Sequence, residues 1–272
     1  MIKEQEAYRM KTVKVRNTVI GEGIPKICVP VFEKTKEEIL SEAGQIAGLK
    51  PDIVEFRADR FERCHDFDSL EDVLTELRTV LGEIPLLFTL RTLAEGGDAD
   101  IGDDDYTDIN IKACKSGTID MVDAEALRGA DIAPIIEAAH SLGVKIVASH
   151  HDFEKTPEKD VIIEQFRKMQ ETGADILKIA VMPQSNKDVS SLLAAAEEMV
   201  TEYAECPVVA ISMGELGTVS RLAGEAVGSA ITFGAASNKS APGQIGIEEL
   251  REGLKDFHEE LVAETSGSRK EQ

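Results

Sequence analysis

The sequence predicts an α/β fold in which eight parallel strands close into a (β/α)8 TIM barrel. Eight short apolar runs of strand length recur along the 272 residues, and segments with apolar residues at helical spacing separate them. Continuous apolar runs are typical of strands buried on both faces, and strands that alternate with helices build parallel sheets. Eight such units without a dividing linker fit one barrel. We therefore expect a single domain over residues 1–272, with mobile tails at 1–9 and 266–272.

Each element of this barrel can be located in order. A polar turn at Asn17 joins two short segments ahead of the first barrel strand, which predicts a β-hairpin that closes the bottom of the barrel. The predicted hairpin strands are 11–15 and 18–20, and the predicted barrel strands are 26–32, 53–59, 85–91, 121–125, 145–151, 176–182, 208–213 and 230–234. One helix is predicted to begin at Thr35, and the others cover 69–81, 131–142, 157–172, 189–203 and 247–262.

The composition predicts a cytoplasmic protein that binds neither nucleic acid nor membranes. The chain is 42% hydrophobic and 30% charged, and its net charge of −21 repels anionic polymers and lipid surfaces. It has no apolar run of the roughly 18 residues that span a membrane, and residues 1–10 lack the apolar region of a signal peptide. The four cysteines are widely spaced, which favours reduced thiols over disulfides or a zinc site. The acidic segments 98–108 and 248–264 indicate a solvated surface, with adaptation to salt as the alternative.

Lys178 is the most informative residue, because it stands in the middle of the apolar run 175–183. Lysine is among the residue types least often buried. Desolvation favours a neutral amine, and a neutral amine attacks carbonyl groups to form Schiff bases. The alternative is a structural lysine that points outward, extends to solvent or pairs with a carboxylate. The polar residues at the other strand ends bear on this choice.

Several polar residues fall at the carboxyl ends of the predicted strands, where barrel enzymes have their active sites. Glu55 and Arg57 belong to an acid–base–acid row on one side of the second strand, which is either a set of ligand contacts or an internal salt-bridge network. Arg91 ends the third strand, and the glycines at 96–97 suit a tight loop that turns Glu95 inward.

The later strands end in further polar residues. The fourth strand carries Asp123 and Glu125, and the fifth ends in two histidines. Because neighbours on a strand alternate, only one of His150 and His151 is expected to face inward, and a structural histidine is the alternative. Arg221 follows the seventh strand. The loop 240–244 follows the eighth strand and is either a lid over a ligand or an ordinary turn.

Together these residue types have a coherent chemical meaning. A lysine forms an imine with a ketone, and the imine acidifies the carbon beside it. A histidine can then remove that proton and later protonate a leaving group. A glutamate can hold the histidine ring, and arginines can bind a carboxylate and hydroxyls. These parts describe the β-elimination of water from a hydroxylated keto acid.

Taken in order, the motifs resemble those of the type I 3-dehydroquinate dehydratases, the Schiff-base-forming enzymes of the shikimate pathway. The resemblance extends from residue 10 to about residue 257. It rests on the segments 10–13, 20–23, 55–59, 88–91, 95–97, 151–153, 178–183, 212–214, 220–221 and 240–244. Each motif is weak alone, but the ordered set is specific to this family.

The resemblance implies a reaction and a set of roles. The implied reaction is the dehydration of 3-dehydroquinate to 3-dehydroshikimate by a homodimer, without a cofactor or metal. The implied catalytic residues are Lys178 for the Schiff base, His151 as general acid and base, and Glu95 to orient His151. The residues implied to bind substrate are Glu55, Arg57 and Arg91 at the hydroxyls and Arg221, Ser240 and Gln244 at the carboxylate.

Two residues depart from the family pattern. His150 stands where relatives often have another residue, which adds a second imidazole near the site. Pro30 ends the first strand where some relatives have a serine that touches substrate. The second departure puts one substrate contact in doubt and leaves the chemistry intact.

Two other functions stay open at this point. An aldolase that uses a lysine imine would share Lys178, but it would not need the clamp of arginines and glutamine. A catalytically silent barrel would serve as a binding or regulatory subunit. The presence of both Lys178 and His151 argues against the silent barrel.

Overall fold

The computed structural model describes residues 12–129, 131–236 and 245–268, with side chains to residue 263. Its strands are β1 (Val13–Val15), β2 (Thr18–Ile20), β3 (Lys26–Val31), β4 (Ile53–Arg57), β5 (Leu86–Thr89), β6 (Met121–Glu125), β7 (Lys145–Asp152), β8 (Ile176–Val181), β9 (Val208–Ser212), β10 (Ile231–Ala235) and β11 (Ile245–Gly246). Its α-helices are α1 (Lys36–Gly48), α2 (Phe67–Leu81), α3 (Asp103–Lys115), α4 (Ala133–Ser141), α5 (Lys159–Glu171), α6 (Asn186–Glu198), α7 (Thr218–Leu222) and α8 (Ile247–Ser268).

Strands β3 to β10 form the predicted barrel. Neighbours pair in parallel from β3 to β9, and β10 returns to pair with β3. The ring closes between β9 and β10, where the Ala230 amide donates to the Val208 carbonyl at 2.8 Å and Ser229 Oγ accepts from the Ala210 amide at 3.1 Å. The parallel, closed ring with its surrounding helices confirms the predicted fold class.

The barrel interior has two contrasting layers. Near the amino ends of the strands it is apolar and contains Cys28, Ile53, Leu87, Met121, Val147, Ile176, Val209 and Ile231. Because side chains on a strand alternate with a period of two, the next interior position lies two residues further along. On five of the strands that position is polar: Glu55, Thr89, Asp123, Ser149 and Lys178. The polar layer therefore rests on a hydrocarbon layer and faces the carboxyl end.

The N-terminal hairpin covers the apolar end of the barrel. β1 and β2 pair antiparallel, with Val13 opposite Ile20. Both side chains are buried in the same cluster as the lower barrel layer. In the hairpin turn, Arg16 donates to Asp120 at 2.6 Å and to Glu83 at 3.1 Å. The hairpin is thus bound to the barrel as predicted.

Most predicted elements are confirmed within a few residues. Thr35 begins α1 as an N-cap, with a reciprocal hydrogen-bonded capping box to Glu38. β4 ends at Arg57, earlier than predicted, because Ala58–Arg60 turns into a 3₁₀ helix. α8 continues to Ser268, beyond the predicted end at 262, since the apolar period that marks the helix stops before the helix does.

Helix α3 lies where the sequence predicts only an acidic surface. Three consecutive aspartates, 103–105, fill its first turn, where the positive end of the helix dipole stabilises them. Its buried side is formed by Tyr106, Ile109, Asn110, Ala113 and Cys114. The helical spacing of apolar residues is weak in this segment, because the buried side includes a polar asparagine and many of the neighbouring residues are charged.

The four cysteines are thiols in the structure. Three of them, Cys28, Cys64 and Cys114, are buried. Burial raises the pKa of the Cys114 thiol to about 12, so it stays protonated at neutral pH. Across the described part of the chain, no helix is both long enough and apolar enough to cross a membrane.

Candidate active site

The polar layer opens into a cavity of about 230 Å³ at the carboxyl end of the barrel. The predicted site residues that line it are Glu55, Arg57, Arg91, Glu95, His151, Lys178 and Arg221. Ser240 and Gln244, which were also predicted, lie outside the described residues. The structure thus brings together every predicted site residue that it describes.

Lys178 points into the barrel from β8, opposite Ser149 on β7. Its side chain is 7% exposed, and Nζ lies 3.7 Å from Asp123 Oδ2 and 3.9 Å from Glu55 Oε1. The ring of Phe233 covers the amine, with its centroid 4.5 Å from Nζ. Two carboxylates and an aromatic wall therefore hold the amine at one position on the cavity. This orientation excludes the alternative of an outward-pointing lysine.

Glu95 holds His151 by two hydrogen bonds. Its Oε2 accepts from the His151 backbone amide at 3.0 Å and lies 2.9 Å from Nδ1 of the ring. An ionised carboxylate only accepts, so we assign the ring proton to Nδ1 and the lone pair to Nε2. The Phe153 ring stacks on the imidazole at 6.4 Å between centroids. An oriented ring with a free lone pair is what a general base requires.

The surroundings of His151 also suit a base. Burial lowers the pKa of His151 well below its usual range, and the positive charges of Arg91, Lys178 and Arg57 lower it further. The imidazole is therefore neutral at pH 7 and able to accept a proton. A strongly perturbed histidine in a cavity is a frequent mark of a functional site.

His150 also contacts Glu95, which the alternation of the strand did not predict. Its Nδ1 lies 3.1 Å from Glu95 Oε1, the oxygen that His151 does not use. The two histidines leave β7 on opposite sides, but Glu95 approaches the end of the strand from the 3₁₀ turn Leu93–Glu95 and meets both rings. His151 lines the cavity, and the His150 side chain is 20% exposed behind it.

The turn that carries Glu95 depends on two glycines. Gly96 has the left-handed φ of 76°, and a Cβ there would overlap the Phe153 ring. A Cβ on Gly97 would overlap the carbonyl group of Arg91. The close approach of the backbone therefore requires glycine at both positions. Glu95 lines the cavity, so the glycine pair turns it inward as predicted.

Replacing Gly97 with alanine should displace this turn and with it Glu95. We expect a loss of about 1–3 kcal/mol of stability, as for other overpacked sites. We also expect turnover to fall by roughly two orders of magnitude, the cost of a misplaced catalytic group. Chemical denaturation and steady-state kinetics measure the two effects. Gly48→Ala in α1, where the described residues leave the Cβ position open, is the matched control. Normal kinetics in Gly97→Ala would contradict this account.

Arg91 is the centre of a buried ion-pair network. Its guanidinium donates to Asp123 at 2.8 Å, Ser149 at 3.0 Å and Glu125 at 3.2 Å. It also lies 3.4 Å from Glu95 Oε2. Although burial opposes the charge, these three carboxylates raise the pKa of Arg91 above its usual range. The network keeps Arg91 charged and fixed in place. Arg91 therefore both lines the cavity and positions Glu95.

The acid–base–acid row of the second strand both lines the cavity and contains an internal ion pair. Arg57 makes two parallel hydrogen bonds to Asp59, both 2.8 Å long, which is an internal ion pair. Glu55 accepts from Thr89 Oγ1 at 2.9 Å. Glu55 and Arg57 also line the cavity, whereas Asp59 lies in the 3₁₀ turn beyond the strand.

Arg221 lies on the short helix α7 and is 2% exposed. Its NH1 group donates to the Phe233 carbonyl at 3.3 Å. Burial lowers the pKa of Arg221 to about 10. The guanidinium is still charged at pH 7, and a carboxylate bound in the cavity would stabilise that charge.

Sequence reasoning gave no role to three residues that shape the site, namely Asp123, Ser149 and Phe233. Asp123 accepts from Ser149 Oγ at 2.7 Å and lies near both Lys178 and Arg91. A signal for all three was present, because each stands two residues beyond a member of the apolar layer. Extending the period of two through every strand would have placed them beside the lysine.

Comparisons with known proteins agree with this geometry. The family model for type I 3-dehydroquinase matches residues 27–260. The 3-dehydroquinate dehydratase of Clostridioides difficile is 45% identical over 252 residues, which cover 92% of this chain and 99% of that protein. The protein of the same name from Bacillus velezensis is 48% identical over 243 residues, which cover 89% and 96%.

Solved structures show the same relationship. The type I enzyme of Clostridioides difficile, crystallised with covalently modified comenic acid, matches with a TM-score of 0.90 at 45% identity, over 93% of this chain and 99% of that one. The 3-dehydroquinate dehydratase of Geobacillus kaustophilus matches with a TM-score of 0.89 at 38% identity, over 92% and 98%. Barrel, cavity and sequence agree, and the chain belongs to the type I 3-dehydroquinase family.

Proposed function

We propose that the protein dehydrates 3-dehydroquinate to 3-dehydroshikimate through a Schiff base on Lys178, a hydro-lyase reaction of the shikimate pathway. The observation that carries the proposal is a buried lysine amine on the same cavity as a neutral histidine that Glu95 orients. The similarity of nearly the whole chain to proteins named 3-dehydroquinate dehydratase supports this choice of substrate.

The reaction begins when Lys178 gives up its ammonium proton to solvent and the amine adds to the substrate ketone, with loss of water, to form an imine. The imine withdraws electrons from the adjacent carbon, and Nε2 of His151 removes a proton there. The electron pair forms the new double bond and expels the hydroxyl group one carbon further on, which His151 protonates as it leaves. Hydrolysis of the imine consumes one water, so the net change is the loss of one water and the release of an enone.

The remaining predicted residues bind the substrate in this proposal. Glu55, Arg57 and Arg91 hold its hydroxyl groups. Arg221 binds its carboxylate, together with Ser240 and Gln244. A local arginine is needed because a chain with a net charge of −21 repels an anion at long range.

We also propose that the protein is a cytoplasmic homodimer with one domain per chain. This assignment rests on the resemblance to the family and on thiol cysteines. Sedimentation velocity should give a mass near twice the 29.5 kDa of the chain. A mass equal to that of one chain would contradict the dimer.

Absorbance of the enone product tests the activity directly. Purified protein mixed with 3-dehydroquinate should produce the enone absorbance with multiple turnovers. An aldolase would release fragments of a cleaved carbon chain, and a silent barrel would release no product. Either result would replace the proposed function.

Replacing Arg221 with lysine should raise KM strongly. Arginine meets a carboxylate with two parallel hydrogen bonds, and lysine offers one point charge. Loss of a charged hydrogen bond predicts an increase in KM of roughly ten- to hundredfold, measured by steady-state kinetics. Arg251→Lys is the matched control, because Arg251 donates to the carbonyls of Leu49 and Lys50 outside the barrel. An unchanged KM would mean that Arg57 or Arg91, and not Arg221, binds the substrate carboxylate.

Exhaustive chelation should leave the activity intact. Within residues 12–129, 131–236 and 245–268, no group of three or more His, Cys, Asp or Glu side chains is arranged to hold a metal ion. The imine supplies the electron sink that a metal would otherwise provide. Kinetics after dialysis against a chelator measure the effect, and activity lost there but restored by a divalent ion would contradict the prediction.

A further inference from the structure

His150 is a titratable side chain beside the site that no step of the proposed reaction uses. Its Nδ1 lies 3.1 Å from Oε1 of Glu95. The side chain is four-fifths buried, and it lies outside the residues that line the cavity. Its described hydrogen bond to a residue of the cavity is the one to Glu95.

The described contacts of Glu95 are unevenly distributed between its two oxygens. Oε2 meets the amide and the ring of His151 and the guanidinium of Arg91, at 3.0, 2.9 and 3.4 Å. Oε1 meets His150. The terminal torsion of a glutamate has a broad energy minimum. Contacts at one oxygen therefore leave the carboxylate plane free to rotate about that oxygen. A contact at the second oxygen fixes that plane.

We propose that His150 is a positioning residue, which holds Oε1 of Glu95 and so fixes the carboxylate plane and the ring of His151. This inference rests on the proposed function, in which His151 is the acid and base. With the plane fixed, Oε2 faces both the amide and Nδ1 of His151, which keeps the ring in one orientation and its proton on Nδ1. Without His150, the Glu95 carboxylate can rotate, and its hydrogen bonds to the amide and the ring of His151 are no longer fixed.

Kinetics of two variants separate this role from simple packing. His150→Ala removes the donor and should lower kcat by roughly tenfold or more, the effect of losing a hydrogen bond to a charged group, with KM nearly unchanged. His150→Asn retains an N–H donor near the position of Nδ1 and should stay within about threefold of wild type. His140→Ala is the matched control, because His140 contacts Asp175 away from the cavity, and it should leave kcat unchanged.

A second comparison tests whether His150 acts through Glu95. In a Glu95→Ala background, the added change His150→Ala should cause no further loss of residual turnover, because the contact is already gone. Nitrogen-15 NMR of the His151 ring should show a single Nδ1–H tautomer in wild type and in His150→Asn. It should show a mixture of tautomers in His150→Ala.

The outcomes are distinct. Equal losses in His150→Ala and His150→Asn would overturn the inference, and so would a full tenfold loss added in the Glu95→Ala background. An unchanged tautomer in His150→Ala would also overturn it. If wild-type protein produced no enone, only the proposed function would be refuted. The NMR comparison would still test how the His151 ring is held.

Discussion

Replacing Lys178 with methionine should abolish dehydration of 3-dehydroquinate. Methionine retains the hydrocarbon that packs near Phe233 but carries no amine, so the imine cannot form. Without the imine the proton beside the ketone is not acidified enough for a histidine to remove it. We expect kcat to fall by roughly four orders of magnitude or more, as when other covalent catalysts lose their nucleophile. A continuous assay of enone absorbance measures the loss.

Trapping the intermediate identifies the nucleophile. Borohydride added with substrate should reduce the imine, inactivate the protein and add the mass of the reduced substrate to the peptide that contains Lys178. Lys145→Met is the matched control, because Lys145 pairs with Asp175 at 2.9 Å near the other end of the barrel. This variant should retain both activity and labelling. A label on any other lysine would contradict the assignment.

Replacing His151 with alanine should nearly stop turnover while the imine still forms. Loss of a general base predicts a decrease in kcat of roughly two to four orders of magnitude. Borohydride should still trap substrate on Lys178 in this variant, because forming the imine does not require the proton at the neighbouring carbon to leave. The decrease should be much larger than that of His150→Ala. The reverse ranking would mean that the acid–base residue has been assigned to the wrong histidine.

The pH dependence of the wild-type protein tests the same residue. A base must be unprotonated, so kcat/KM should fall as the pH drops through the pKa of His151 in the free enzyme. Burial lowers that pKa well below the ordinary value of 6.5, and the charges of Arg91 and Lys178 lower it further. The acidic limb of the profile should therefore lie below about pH 6.5. A limb above this value that also appears in kcat, where Lys178 has already formed the imine, would contradict the assignment.

The elements of the fold differ in how well they could be predicted from sequence. The eight barrel strands were predicted because most of them are buried on both faces and form nearly continuous apolar runs. Helix α3 was not predicted, because Asn110 belongs to its buried side and aspartates crowd its first turn. The bend after Arg57 was also not predicted, since Asp59 leaves the strand to accept hydrogen bonds from Arg57 and the Arg91 amide. Such bends depend on partners that are distant in the chain.

The sequence by itself determined the fold class, the order of the strands along the chain and the candidate reactive residues, because the strand period and each motif are read from short segments. Only the tertiary structure decided which groups meet. Glu95 contacts both His150 and His151, and Arg91 joins the two carboxylates of β6 to the carboxylate of Glu95. Hydrogen bonds require donor and acceptor within about 3 Å. Contacts on that scale depend on how the barrel closes, which no single segment of the chain encodes.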